Sequence, residues 1–490
     1  MTRSNDPYDL VVIGGGTAGL VSAAGGASLG ARVALVEYDR LGGDCLFYGC
    51  VPTKTLVKSA HVAKTVRTST DFGVKSSPPE IDFPAVMARM RGVIEQAGEA
   101  DDPGRFRDLG VDVRLGERAS FVSSDTVMVG GARLRSRSFI IATGSEASVP
   151  PVDGLDKAGY LTNVEVLQLE ELPGSLTVLG SGPIGCEFAQ IFARFGVAVT
   201  IVSDAAPLPK EDPEVGRLIK AVLEADGVTV HEGFLADSVS VESGEKVLVA
   251  KNRLGREITI RSEEILVATG RSPVTGTLAL ENAGVRVGKS GITVDEYLRT
   301  TADNIYAAGD VTGMLPFTHA AEFQAKTALR NALFPVRSRI DYSAVPWTTF
   351  TAPEVARVGL TENEAREKYG DVKVWRKDFS GVDRAMADGE TVGFEKIVCR
   401  KNGEILGAHI VGPDAGNIVH ELVLAMRKGI KVGDISQTVH VYPTLAQVNQ
   451  RAADGFYREK LFGGPAGSAF RAYFGARRRL GRVREVWRPG

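Results

Sequence analysis

A strand that runs straight into a glycine turn and then into a helix of small residues occurs twice in this sequence, and that duplication limits the fold more than any other feature. In the first copy Leu10-Val11-Val12-Ile13 leads into Gly14-Gly15-Gly16-Thr17-Ala18-Gly19 and an Ala-rich stretch from Leu20 to Leu29. Gly14 permits the tight turn, Gly16 lets the backbone approach a pyrophosphate, and Gly19 lets the helix pack on the sheet, with phosphate charge resting at the helix N-terminus. The next strand, Ala31 to Val36, delivers Glu37 about 20 residues beyond the glycines, where a carboxylate accepts both ribose hydroxyls of an adenosine. In the second copy Leu176-Thr177-Val178-Leu179 precedes Gly180-Ser181-Gly182-Pro183-Ile184-Gly185, a helix through Glu187, Phe188, Ile191 and Phe192, and a strand from Val197 to Val202. Two such units imply two dinucleotide cofactors. At the offset of Glu37 the second copy has Ser203, with Asp204 adjacent and Lys210 a few residues on. An acid repels a ribose 2′-phosphate and a base attracts it, so this copy leans to NADPH over NADH. Lys210 also reads as a solvated loop charge.

Downstream of the first copy, Gly42-Gly43-Asp44-Cys45-Leu46-Phe47-Tyr48-Gly49-Cys50-Val51-Pro52-Thr53-Lys54 holds two cysteines. On a regular helix their Cα atoms would stand roughly 8.6 Å apart, beyond the reach of about 7 Å that a disulfide tolerates. A bridge between them therefore needs a bend. Gly42, Gly43 and Gly49 supply the freedom, and Pro52 suits the first turn of a helix whose dipole lowers the pKa of a nearby thiol. The spacing fits a strained, activated pair. It also fits two buried structural cysteines that happen to lie close.

The 490 residues suggest three or four domains. A net charge of −2 gives no general attraction for nucleic acid or for an acidic partner. Of four cysteines only Cys186 and Cys399 lie beyond the pair, which is no secreted disulfide framework, and a reducing cytoplasm fits better. Met1 to Asp9 is short and polar, unlike a secretory signal. Leu10 to Ala31 lacks charges, yet its seven glycines argue against a membrane span. No resident metal site is read.

With Ala142-Thr143-Gly144, the repeated Ala268-Thr269-Gly270-Arg271 and Ile305-Tyr306-Ala307-Ala308-Gly309-Asp310 added, residues 7 to 455 resemble the class I flavin disulfide reductases, the family of dihydrolipoamide dehydrogenase, glutathione reductase and mercuric reductase. The resemblance implies FAD on the first copy, with Thr143 and Gly144 nearby and Gly309-Asp310 closing on the ribityl chain. It implies NADPH or NADH on the second, with Gly270. It also implies a redox-active Cys45–Cys50 disulfide, Cys50 next to the flavin ring and Cys45 exchanging with the acceptor, and a Lys54–Glu187 pair near the flavin N5. On their own, Lys54 reads as an exposed helix lysine and Glu187 as a surface acid. The fold expected is α/β, with two Rossmann-like dinucleotide-binding domains and an α+β C-terminal dimerisation domain. Motif order assigns 1–150 and 271–340 to FAD, 151–270 to NAD(P)H, 341–460 to dimerisation and 461–490 to a basic tail. Pro150-Pro151 and Arg271-Ser272-Pro273 are the chain crossings. A homodimer is implied.

One departure bears on the acceptor. In Val439-His440-Val441-Tyr442-Pro443-Thr444-Leu445-Ala446-Gln447, Tyr442 and Gln447 stand where the disulfide-reducing relatives carry a His and a Glu. An imidazole oriented by a carboxylate shuttles a thiol proton near neutrality, whereas a phenol with a pKa of about 10 donates a hydrogen bond but is a poor base. His440 lies two residues away, on the same face if the segment is extended, and otherwise reads as packed or solvated. The pattern points to a small-molecule disulfide or a soft-metal ion as acceptor. The alternatives are mercuric reductase proper, although no cysteine follows Cys399, an NAD(P)H diaphorase or quinone reductase with a structural disulfide, and dihydrolipoamide dehydrogenase. The tail carries Arg471, Arg477, Arg478, Arg479, Arg482, Arg484 and Arg488 among Phe470, Tyr473, Phe474, Leu480, Val483 and Trp487. It reads as a basic amphipathic helix for an anionic membrane surface, as a helix packed on the body, or as a frayed terminus.

Overall fold

The structure, a computed structural model, describes residues 6–486, with side chains as far as 479. The chain divides into two compact units, one running to Pro209 and resuming over Ile219–Asp341, the other made of Lys210–Leu218 and the residues from Tyr342 on.

In the first unit the strand Tyr8–Ile13 lies between Val33–Glu37 and the end of Ala132–Ile141, all parallel, with Asp112–Leu115 beyond the one and Ile305–Ala307 beyond the other. This sheet is covered on both sides, which is why its strands are continuous apolar runs. Leu10 and Val12 pack with Val33, Leu35 and Leu329, while Val11 and Ile13 pack with Phe121, Phe139 and Ile305. The helices Thr17–Ser28 and Thr318–Leu333 lie side by side, and Gly25 makes that approach possible, because a Cβ there would meet Leu329 at 2.7 Å. A second parallel sheet, ordered Thr229–Glu232, Ala198–Ser203, Ser175–Leu179, Glu264–Val267, carries the second glycine turn. An antiparallel sheet of Phe234–Glu242, Glu245–Asn252 and Glu257–Ser262 accompanies it. The chain leaves and re-enters through paired segments, Ser145–Ala147 against Arg271–Pro273.

The second unit is a five-stranded antiparallel sheet, Pro346–Thr349, Glu354–Gly359, Ile405–Gly412, Phe394–Cys399 and Lys373–Asp378 in spatial order. Ile418, Leu422, Val448 and Ala452 from its helices cover one face, in a core that includes Ile397 and Cys399. The architecture is thus the expected α/β one: two Rossmann-like sheets and an α+β unit. The tail continues as a helix over Gly464–Val486. Trp487 and Arg488 lie outside the described residues, as do the side chains of Leu480, Arg482, Val483 and Arg484.

Candidate active site

The two glycine turns share one geometry. Gly14 sits at φ +110° and Gly180 at +102°, and an added Cβ would strike the carbonyl oxygen of Ala142 at 2.3 Å in the first and of Ala268 at 2.5 Å in the second. Both conformations exclude an L side chain. Gly19 and Gly185 press their helices onto the carbonyls of Gly14 and Gly180. The space over the middle glycine is open instead. A Cβ on Gly16 would meet only Gly43 Cα, at 3.8 Å, and one on Gly182 nothing within 4 Å. Gly16 and Gly182 also begin their helices without a side-chain cap, which leaves first-turn N–H groups for a phosphate. The residues present fit a dinucleotide at each turn.

The side chains around the two turns differ. Glu37 is buried, and its carboxylate accepts from Gly15 N at 2.6 Å and from Asp39 N at 2.8 Å, which fixes it at the end of its strand. Ser203 is buried too, but it is tied to Ser181 by a 2.8 Å hydroxyl hydrogen bond. Asp204 and Lys210 are exposed. Lys210 belongs to the second unit, where its carbonyl accepts from Arg357 Nη1 at 2.8 Å. Gly270 takes φ +134°.

The cysteines meet across a break between the short helix Gly43–Phe47 and the long helix Cys50–Arg67. Two contacts need glycine. A Cβ on Gly43 would come within 2.7 Å of Gly16 Cα, and one on Gly49 within 3.2 Å of Cys45 Cα. The short helix that carries Cys45 therefore starts directly against the first glycine turn. Both are free thiols in this structure and interact side chain to side chain, while Cys50 Sγ lies 3.4 Å from Thr318 Oγ1. The Cys45 contact, then Thr318 and the charge of Lys54, pull the Cys50 thiol down to about 6 against the opposing effects of burial and Glu187. Cys45 is pushed up, first by that same contact and then by burial. One proton is thus shared unequally, with the thiolate on Cys50. The other two cysteines are inert by contrast: burial pushes Cys186 up to about 12 and raises Cys399 as well.

Lys54 Nζ stands 2.8 Å from Glu187 Oε2, with Glu187 buried, so the two glycine-turn regions are joined by an ion pair close to the thiols. Gly309, at φ +85°, donates to Gln324 Oε1 at 2.6 Å. Asp310 accepts from Ser145 Oγ at 2.7 Å, and Arg271 binds both Ser145 and Asp44. Thr143 Oγ1 donates to Val274 O at 2.6 Å, next to Gly144. Thr318, Gln324, Ser145 and Asp44 do not figure among the residues expected from sequence. Thr318 opens a helix after Leu315-Pro316-Phe317, a weak signal, and no spacing rule links it to a cysteine 268 residues earlier.

In the second unit Tyr442 is 66% exposed. His440 is not: its side chain is 8% exposed, with Nε2 3.1 Å from Glu421 Oε2 and Nδ1 3.0 Å from Thr438 O. The common face conditional on an extended segment is not formed, because Glu421, itself held by Asn449 Nδ2 at 2.7 Å, draws the imidazole inward. Gln447 is buried.

These features recur in known proteins. Residues 8–325 match the pyridine nucleotide-disulphide oxidoreductase family and residues 345–453 match that family's dimerisation domain. The mercuric reductase of Bacillus cereus is 36% identical over 91% of this chain and 71% of its own length. The dihydrolipoyl dehydrogenase of Bacillus subtilis (strain 168) is 33% identical over 91% and 97%. Among solved structures, the Cu(II) complex of the HOCl-induced flavoprotein disulfide reductase RclA from Escherichia coli superposes with a TM-score of 0.82 at 30% identity, covering 92% of this chain and 99% of that one. The family is FAD-dependent and uses NAD(P)H, and its dimerisation domain supports a homodimer. With family matches over residues 8–325 and 345–453 and a relative 36% identical across most of both chains, this chain is an oxidoreductase enzyme that belongs to the pyridine nucleotide-disulphide oxidoreductase family.

Proposed function

We propose that the chain takes two electrons from NADPH, in preference to NADH, and passes them through Cys45 and Cys50 to a disulfide or soft-metal acceptor in the cytoplasm. The observation that carries this reading is the unequal thiol pair, one member of which sits on a short helix that starts against the first glycine turn. Residues 1–150 and 271–340 would hold FAD through Gly14, Gly16, Gly19, Glu37, Thr143, Gly144, Gly309 and Asp310. Residues 151–270 would hold the nicotinamide cofactor through Gly180, Gly182, Gly185 and Gly270. FAD, when bound, supplies the carrier between nicotinamide and sulfur. A hydride equivalent breaks the Cys45–Cys50 bond and leaves one thiol, at Cys45, and one thiolate, at Cys50. The Lys54–Glu187 pair places a cation beside that thiolate. Ser203 in place of an acid supports NADPH.

The inward His440 and the exposed Tyr442 favour an acceptor that needs no imidazole base, and thiolates are the ligands soft metals prefer. Tyr442 then acts as a hydrogen-bond donor to the acceptor. The test is anaerobic. NADPH is added to oxidised holoenzyme, and alkylatable thiols are counted before and after lipoamide or Hg(II). Two new thiols on reduction that lipoamide leaves unoxidised, with NADPH oxidised and Hg(0) released when Hg(II) is supplied, support the metal reading. Consumption by lipoamide assigns disulfide exchange instead, and no gain of thiols on NADPH addition overturns the redox role of the pair.

A further inference from the structure

The matched family domains end at residue 453, yet the chain goes on to build a helix over Gly464–Val486. Enzyme chemistry does not account for it. The helix leaves Phe470, Tyr473 and Phe474 exposed by 50%, 60% and 51%, with the Tyr473 and Phe474 rings in edge contact at 5.2 Å. Positions 470, 473, 474 and 477 share one stripe at helical spacing. Phe462, at the end of the preceding helix, is 70% exposed. Large aromatic side chains left in water along one stripe mark a surface that is covered in use.

Charge indicates what covers it. No Asp or Glu occurs between Lys460 and Arg484, while the described part of the helix displays Arg471, Arg477, Arg478 and Arg479, all exposed. Arg471 is steered by Phe462 O at 3.3 Å and Ser468 Oγ at 3.2 Å, which ties the start of the helix down. Arg471 and Arg478 fall beside the aromatic stripe and Arg479 on the far face, while Arg477 lies on the stripe, where a long side chain can bury its stem and lift its guanidinium to the phosphate level. No helix among the described residues is long and apolar enough to cross a membrane, so the stripe suits the plane of an interface.

We propose that residues 464–486 are an interfacial anchor: Phe470, Tyr473 and Phe474 enter the headgroup region of an anionic bilayer, and Arg471, Arg477 and Arg478 meet its lipid phosphates. The reductase thereby works at a membrane surface without spanning it.

The test is co-sedimentation of full-length holoenzyme with phosphatidylcholine vesicles, with and without about 30% phosphatidylglycerol, at low and high salt. Retention on the anionic vesicles only, falling steeply as salt rises, is expected. Arg477→Gln with Arg478→Gln weakens retention about twentyfold, from roughly fivefold per charge. Phe470→Ala with Phe474→Ala weakens it by at least tenfold while reductase turnover in solution stays unchanged. Equal retention by neutral vesicles, or no retention, overturns the proposal. So does a helix that holds holoenzyme in a larger assembly, dissolved by deleting 464–490, without touching lipid.

Discussion

The two glycine turns have almost the same backbone, and the side chains set around them are almost unrelated. Each turn drives its first glycine against a neighbouring strand and opens its middle glycine to a phosphate. Around the first stand a buried acid and a thiol pair, one member of which is drawn toward ionisation. Around the second stand a buried serine and Cys186, a thiol driven the opposite way by burial. The backbone of such a turn decides that a pyrophosphate is held. What differs is the residue at the end of the second strand, Glu37 against Ser203, and the position of a cysteine relative to a helix start.

The largest expected effect separates the thiols. Cys50→Ser lowers NADPH-linked reduction of the acceptor by roughly three orders of magnitude, as loss of a covalent participant does, whereas Cys186→Ser retains activity and loses about 1 kcal/mol of stability. Alkylation sharpens the contrast. The Cys50 rate climbs as pH rises through about 6 and then levels, because the thiolate reacts and acid reprotonates it, while Cys186 in the folded enzyme stays unmodified at pH 8. If Cys186 reacts as fast as Cys50, the two environments are not what separates them.

Next come the turns themselves. Gly14→Ala forces a Cβ onto Ala142 O at a left-handed backbone angle and should yield protein with little FAD, read from its visible spectrum. Gly180→Ala forces a Cβ onto Ala268 O in the same way, and should keep FAD while raising the KM for NADPH by at least about tenfold, since the clash adds to roughly 1–2 kcal/mol of left-handed strain. Loss of FAD from both variants would mean the turns are not separate sites. The smallest change tests the strand ends. Ser203→Glu adds the acid that the first copy has at Glu37, and the kcat/KM ratio should move about tenfold toward NADH; a fixed ratio removes position 203 from nucleotide selection.

What was legible in the sequence was whatever is encoded within one strand-turn-helix segment. Gly14, Gly16 and Gly19 announce their roles because spacing alone sets which of them touches a carbonyl. The Cys45–Cys50 interval required a helix break, and the break falls at Tyr48-Gly49. Partners that the fold selects from far away were not legible. Thr318 reaches Cys50 because its helix lies along Thr17–Ser28, a contact set by Gly25 and Leu329. His440 turns inward because Glu421 waits on a different helix. Lys210 follows Ser203 closely along the chain, yet it is packed with the second unit by Arg357, a division that no local pattern marks.

The strand Ile305–Ala307, which completes the first sheet by pairing with Phe139–Ile141, sets an order on how the molecule is made. The sheet of the second glycine turn draws all its strands from residues 175–267 and can close as soon as they have been synthesised. The first sheet, begun earlier, must wait for its last strand, and Cys50 waits for Thr318, 268 residues behind it. At about 5–20 residues per second that delay is roughly 13–50 s. A nascent chain can therefore close the sheet of its second glycine turn before that of its first, and Cys50 lacks its Thr318 contact throughout that interval.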